Sequence, residues 1–160
     1  MEADLKKIND LLTTVYNDIM HVEEKELRKS EFKDISIKEV HAIAAITMYD
    51  HKTSSQLAKD LMITAGSVTT TINNLVRKGY VIRIYGEDDR RIVRLGLTHR
   101  GRLVYRAQDS FHRYMVKKFV AGFNDEQVEI IEHALLNLRA FLEFPPHFES
   151  KENKKNGPKD

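Results

Sequence analysis

Along residues 5–22 the apolar side chains Leu5, Ile8, Leu12, Val15, Ile19 and Val22 recur at spacings of three and four. That period gathers them into one stripe of a helix, and a stripe of this kind needs a partner surface. Ser36 stands three residues before Glu39, which predicts a capping box opening a second helix with Ile37, Val40, Ile43, Ala44 and Thr47 inward and an end near Asp50. Thr53 and Gln56 repeat the box for a short third helix with Leu57, Ala58 and Leu61 inward, after which Met62 and Ile63 turn the chain. Thr64 then caps a fourth helix, "TAGSVTTTINNLVRKG".

In that fourth segment Val68, Ile72, Leu75 and Val76 share one face, while Ser67, Thr69, Thr70, Thr71, Asn73 and Asn74 crowd the other. Three successive threonines weaken a helix and add no solubility that Glu or Lys would not supply better, so another demand selects them. Gly79 is placed to end the helix, with Arg77 and Lys78 in its last turn. The period then changes to two, which predicts strands over 80–85 and 92–97 with Val81, Val93, Leu95 and Leu97 on one face and residues 86–91 as the connection. A long helix follows, with Val104, Ala107, Phe111, Met115 and Phe119 inward. Asn124 and Gln127 then open a last helix carrying Val128, Ile131, Leu135, Leu138 and Leu142. Residues 149–160, "ESKENKKNGPKD", contain no apolar side chain and read as a disordered tail.

Composition narrows the class. The 160 residues suit one domain. We expect residues 1–148 to form it, with a core at 36–98 and long helices at 1–30 and 99–143. Neither a membrane span nor a signal peptide is legible, and with no cysteine there is no disulfide framework or thiol nucleophile, so a cytoplasmic protein is expected. No nucleophile and base pair, Gly-rich phosphate loop or His-Glu-x-x-His appears, so no enzymatic activity and no cofactor are expected. The net charge of +2 hides an asymmetry: residues 77–118 hold 12 basic and 4 acidic side chains, against 14 and 20 in the rest. Concentrated positive charge raises the local concentration of a polyanion, most commonly nucleic acid.

A short capped helix, a tight turn, a polar-faced helix and a hairpin follow one another in the order of a winged helix-turn-helix, a mainly α (α+β) fold. In a major groove Ser and Thr can take either hydrogen-bond partner, threonine methyls can meet thymine methyls, and Asn can pair with adenine. The expected DNA contacts are Thr53, Ser54 and Ser55 at the start of the third helix; Thr64, Ala65, Gly66, Ser67, Thr69, Thr70 and Asn73 on the fourth; and Arg77 at its end. At the hairpin tip, "GEDDRRIVRLGLT" over 86–98 sets two acids directly before two arginines. A carboxylate beside an arginine holds it extended before it docks, so Asp89 is expected to orient Arg90 and Arg91 toward a minor groove, with Glu87 and Asp88 as turn residues.

These residues resemble the MarR family of winged helix-turn-helix regulators over roughly 5–143. The family's wing pattern stands here as Asp89-Arg90-Arg91, then Ile92 to Leu97, Thr98 and Gly101, and its recognition-helix pattern as Val68-Thr69 to Leu75 with Lys78-Gly79. One departure is that the family often has Arg or Gln early in the recognition helix where this chain has Ala65 and Gly66, which shifts readout to Ser67, Thr69, Thr70, Asn73 or DNA shape. The first and last helices each offer a coiled-coil-like seam, so a two-fold dimer is expected, with intramolecular pairing of the seams as the alternative. The resemblance implies that a homodimer reads a palindromic operator in double-stranded DNA.

The stretches "FKDISIKEVHAI", "TAGSVTTTINNLVRKGY", "RRIVRLGLTHRGRLVYRAQDSFHRYMV" and "LLNLRAFLE" are similar, more narrowly, to the FabT-type repressors of fatty-acid synthesis genes. That similarity implies a long-chain acyl group on acyl carrier protein as co-repressor. It calls for an apolar tunnel, here assigned to Val22, Ile43, Ile46, Val104, Phe111 and Met115, and a basic surface for the carrier, assigned to Arg83, Arg94, Arg100, Arg102, Arg106 and Arg113. An alternative is a zinc-responsive MarR-type regulator using His41, His112 and Glu23 or Glu24. A winged-helix protein-interaction module or enzyme subunit without DNA affinity is a further alternative, against which the polar helix face and the wing arginines speak.

Overall fold

The computed structural model describes residues 1–86 and 91–143, without the side chains of Glu2 and Ala3. Its described residues form α1 (Glu2–Lys29), α2 (Ile37–Ile46), α3 (Ser54–Leu61), α4 (Ala65–Arg77), β1 (Val81–Tyr85), β2 (Val93–Leu97), α5 (His99–Phe119) and α6 (Asp125–Glu143). The chain divides into two compact units, Met1–Tyr114 and a second that begins at Met115 within α5. Among the described residues no helix is long and apolar enough to cross a membrane. The tail at 149–160 and the wing tip at 87–90 lie outside the described residues.

Local chemistry explains the boundaries. In the capping box of α2 the Glu39 amide donates to Ser36 Oγ at 3.2 Å and the Ser36 amide to Glu39 Oε2 at 2.7 Å. Thr53 and Gln56 make the same reciprocal pair at α3. Helix α2 stops at Ile46, short of the expected Asp50, because Thr47 leaves the helix at φ 62°. The chain then swings so that Lys52 and Thr53 run beside β2, where the Leu95 amide donates to the Lys52 carbonyl at 2.9 Å and Thr53 bridges Arg94. At the end of α4 the Tyr80 amide donates to the Leu75 carbonyl at 2.9 Å and the Gly79 amide to Val76 at 3.1 Å, a Schellman closure made possible by Gly79 at φ 78°.

In the first unit the core is built from α2 (Val40, Ala42, Ile43, Ile46), Leu57 of α3, Val68, Ile72 and Leu75 of α4, the hairpin's Val81, Leu95 and Leu97, and Val104 of α5, with Ile35 and Tyr80. Each fully buried Leu, Ile or Val contributes about 1.5–3 kcal/mol of transfer free energy, so this cluster fixes α4 against its neighbours. The hairpin is antiparallel, with Val81 opposite Leu97, Arg83 opposite Leu95 and Tyr85 opposite Val93. That register puts Val81, Val93, Leu95 and Leu97 on one face, as the alternation predicts.

In the second unit α6 opens on the expected box, with the Gln127 amide donating to Asn124 Oδ1 at 2.9 Å and the Asn124 amide to Gln127 Oε1 at 3.0 Å. Leu135, Leu138 and Leu142 of its apolar stripe are exposed, as are Leu5, Ile8, Leu12 and Val15 of α1.

Candidate nucleic-acid interface

Helix α4 packs Val68, Ile72 and Leu75 into the core and leaves Ala65, Gly66, Ser67, Thr69, Thr70 and Asn73 exposed, with Thr71 and Asn74 half-buried. Its first turn carries no acid, and a Cβ placed on Gly66 would meet nothing within 4 Å, so the positive end of the helix is open to a phosphate. Thr64 accepts the Ser67 amide at 3.2 Å, and the Thr64 and Ser67 hydroxyls lie 2.9 Å apart. Thr69, Thr70 and Thr71 each donate their hydroxyl to the carbonyl four residues earlier, at 2.9, 3.1 and 2.9 Å. This back-bonding uses the hydroxyl proton and leaves oxygen lone pairs and methyl groups for an outside partner.

Of the other expected contacts, Thr53 caps α3, Ser54 is half-buried and Ser55 is exposed. Arg77 is exposed and donates to Asn74 Oδ1 at 2.8 Å, and Arg91 is exposed in the turn two residues before β2. Asp89 and Arg90 lie outside the described residues, as does the expected arrangement of acids around the tip arginines.

The arginines assigned to a carrier surface divide into two groups. Arg83 donates to Asn73 Oδ1 and ties the wing to α4. Arg94 donates to the His51 carbonyl at 3.2 Å and secures the loop before α3. Arg100 donates to Asp34 Oδ1 at 3.0 Å and the Lys78 carbonyl at 3.3 Å, and its guanidinium sits 4.4 Å over the Tyr80 ring. These three also hold structure, each through a bond to a distant part of the chain. Arg102, which donates to the Leu97 carbonyl, Arg106 and Arg113, which pairs with Asp109, remain along α5.

The Arg100 cluster went unrecognised in the sequence because its partners are far apart in the chain. Tyr80 is fully buried, and its hydroxyl donates to Asp34 at 2.7 Å. Burial first, then the Asp34 bond and charge, push the Tyr80 hydroxyl above the ordinary tyrosine range. For Asp34 desolvation acts upward, but the Tyr80 hydroxyl, its own backbone amide and the charges of Arg100 and Lys78 outweigh it and hold the carboxyl below its usual value. Glu39 is a second missed anchor: buried, it accepts both Lys78 bonds, at 2.8 and 3.0 Å, linking the start of α2 to the end of α4.

An apolar cavity of about 200 Å³ opens between α1, α2 and α5, lined chiefly by Leu27, Phe32, Ile37, Val40, Val104 and Phe111. Val104 and Phe111 were expected there. Ile43 and Ile46 instead belong to the solid core and Val22 is exposed, because spacing cannot separate a filled interior from a hollow one, and Met115 opens the second unit. Glu23 and Gln108 form its polar edge.

The tertiary structure does bring Glu23, His41 and His112 together, as a hydrogen-bonded cluster. Each imidazole Nε2 lies 2.9 Å from a different oxygen of the buried Glu23 carboxylate, and Gln108 Nε2 donates to Glu23 Oε1 at 2.6 Å. Both ring nitrogens are engaged with this one carboxylate, and among the described residues no group of three or more His, Asp or Glu side chains is arranged to hold a metal. Glu24 pairs with Arg28 at 2.7 Å instead. The zinc alternative gains no support from this arrangement.

A helix-turn-helix whose second helix shows an open polar side, followed directly by a two-stranded wing tied to that helix, defines a DNA-binding regulator of transcription. The model of the MarR family matches residues 35–93. Streptococcus pneumoniae FabT, solved in complex with DNA, is 47% identical over 87% of this chain and 97% of its own, with a TM-score of 0.79. The Bacillus subtilis HTH-type transcriptional regulator YpoP is 26% identical, over 82% of this chain and 86% of its own. Staphylococcus aureus MepR, solved with DNA, shares the fold at 23% identity, covering 82% of this chain and 94% of its own, with a TM-score of 0.68. The chain belongs to the MarR family of winged helix-turn-helix transcription regulators.

Proposed function

We propose that the protein is a homodimeric, sequence-specific repressor of fatty-acid synthesis genes, and that a long-chain acyl group on acyl carrier protein is its co-repressor. The observation that carries this is the 47% identity to FabT along nearly the whole of that chain, joined to an α4 whose polar side is uncovered. Exposed leucines on α1 and on α6 supply apolar surface for a second copy, which two palindromic half-sites would require.

The cavity beside Val104 and Phe111 has the chemistry for the acyl chain. At about 200 Å³ it accommodates a short apolar group as it stands. A long chain would have to part its walls, and because α2 and α5 are wall elements, ligand entry would bear on the elements that hold α4 and the wing. Arg102, Arg106 and Arg113, spaced by four and seven residues, fall on one side of α5, and such a basic stripe suits an acidic carrier.

The test is a gel-shift titration with an operator duplex, adding acyl carrier protein either bearing a long chain or unacylated. Tighter binding with the acylated carrier alone is expected. Equal binding with both removes the co-repressor and leaves the DNA function standing.

A further inference from the structure

The threonines and asparagines along α4 each have one of their hydrogen-bonding halves already committed. The threonine hydroxyl protons point back to carbonyls, Asn74 Oδ1 accepts from Arg77, and Asn73 Oδ1 accepts from Arg83. Arg83 reaches Asn73 from the middle of β1, opposite Leu95, so the wing strand itself dictates the orientation of an α4 side chain. An amide has one oxygen and two N–H donors. With one of the oxygen's two lone pairs engaged and a guanidinium beside it, the pair presents mainly donors outward.

Bidentate pairing of Asn with adenine needs the amide oxygen to accept from N6 while the nitrogen donates to N7. The Arg83 cation beside the amide oxygen takes up part of its acceptor capacity and repels the partly positive N6 amino group of an adenine. Guanine offers two acceptors, N7 and O6, in the same place in the major groove.

We propose that Arg83 sets the base preference of Asn73, so that the pair selects guanine over adenine at one position of each operator half-site. This rests on α4 entering the major groove. Arg83 is a positioning residue here, acting through Asn73.

The experiment selects duplexes from a randomised library with the intact protein, then measures binding of the enriched duplex and of every single base-pair variant to wild type, Asn73→Ala, Arg83→Met, Arg83→Lys and the Asn73→Ala/Arg83→Met double variant. In the wild type, replacing the guanine by adenine at one position should weaken binding about tenfold or more. Asn73→Ala and Arg83→Met should each flatten the preference at that same position and no other, the double variant should flatten it no further, and Arg83→Lys, which keeps a donor, should retain part of it. Two results overturn the proposal while leaving DNA binding intact: adenine preferred at the Asn73-dependent position, or Arg83→Met weakening all duplexes equally with a shallower salt dependence. Failure of the wild-type protein to enrich any sequence would overturn the DNA reading together with it.

Discussion

The backbone of Gly101, in the first turn of α5, lies against the Tyr80 carbonyl so closely that a Cβ at this position would stand 2.1 Å from the oxygen. That carbonyl also accepts the Thr98 amide at 3.0 Å, so it cannot withdraw without unpairing the start of α5. Gly101→Ala should therefore destabilise the protein by about 1–3 kcal/mol or more, because the obstruction is backbone and not a mobile side chain. A denaturant midpoint matching wild type would show that the helix start accommodates the methyl group.

Asp34 and Tyr80 give stability a pH dependence with a definite sign. The Asp34 carboxyl titrates lower in the folded chain than in the unfolded one, so its contribution is present above the unfolded value near 3.8 and is lost as pH falls through the folded value. Tyr80 titrates higher when folded, so its contribution is present below pH 10 and declines above it. In thermal melts Asp34→Asn should be less stable than wild type at neutral pH, and the gap should close toward acid. A gap independent of pH would mean that the carboxylate charge is irrelevant.

Thr64 caps the helix that carries the polar face. Thr64→Ala should destabilise by about 0.5–2 kcal/mol, whereas Thr64→Ser should retain most of the cap. Chemical denaturation distinguishes the two, and equal losses would place the effect in the methyl group rather than in the hydrogen bond.

Lys78 and Glu39 form a pair in which the carboxylate is the buried member. Lys78→Met should destabilise by about 1–3 kcal/mol by leaving a desolvated charge without its cation. Adding Glu39→Gln should recover part of this, since a neutral amide still accepts the Ser36 N–H and needs no counter-charge. A double variant less stable than Lys78→Met would refute the desolvation account.

Contacts to phosphates and to bases should separate on DNA. Arg91→Ala is expected to weaken binding to all duplexes and to lower the salt slope, while Thr69→Ala should relax preference at particular positions by about 1–3 kcal/mol. Equal losses for both variants on operator and random DNA would show that α4 has been misassigned as the reading helix.

The boundaries of the recognition unit, apart from the end of α2, were legible in the sequence because they depend on neighbours along the chain. Ser36 with Glu39, Thr53 with Gln56, Thr64 and Gly79 each satisfy helix ends within a few residues, and the alternation of Val81, Val93, Leu95 and Leu97 follows from the pleat alone. The polar side of α4 was legible for the same reason, since a period of 3.6 separates Thr69 and Asn73 from Ile72 and Leu75 without reference to anything else. What the arginines do was decided only in three dimensions: Arg83 joins Asn73 ten residues away and Arg100 joins Asp34 sixty-six residues away, and the pattern of basic residues is the same whether they face solvent or a partner. So was the hollow beside Val104, because an apolar stripe records that side chains leave water but not how completely they fill the space they enter.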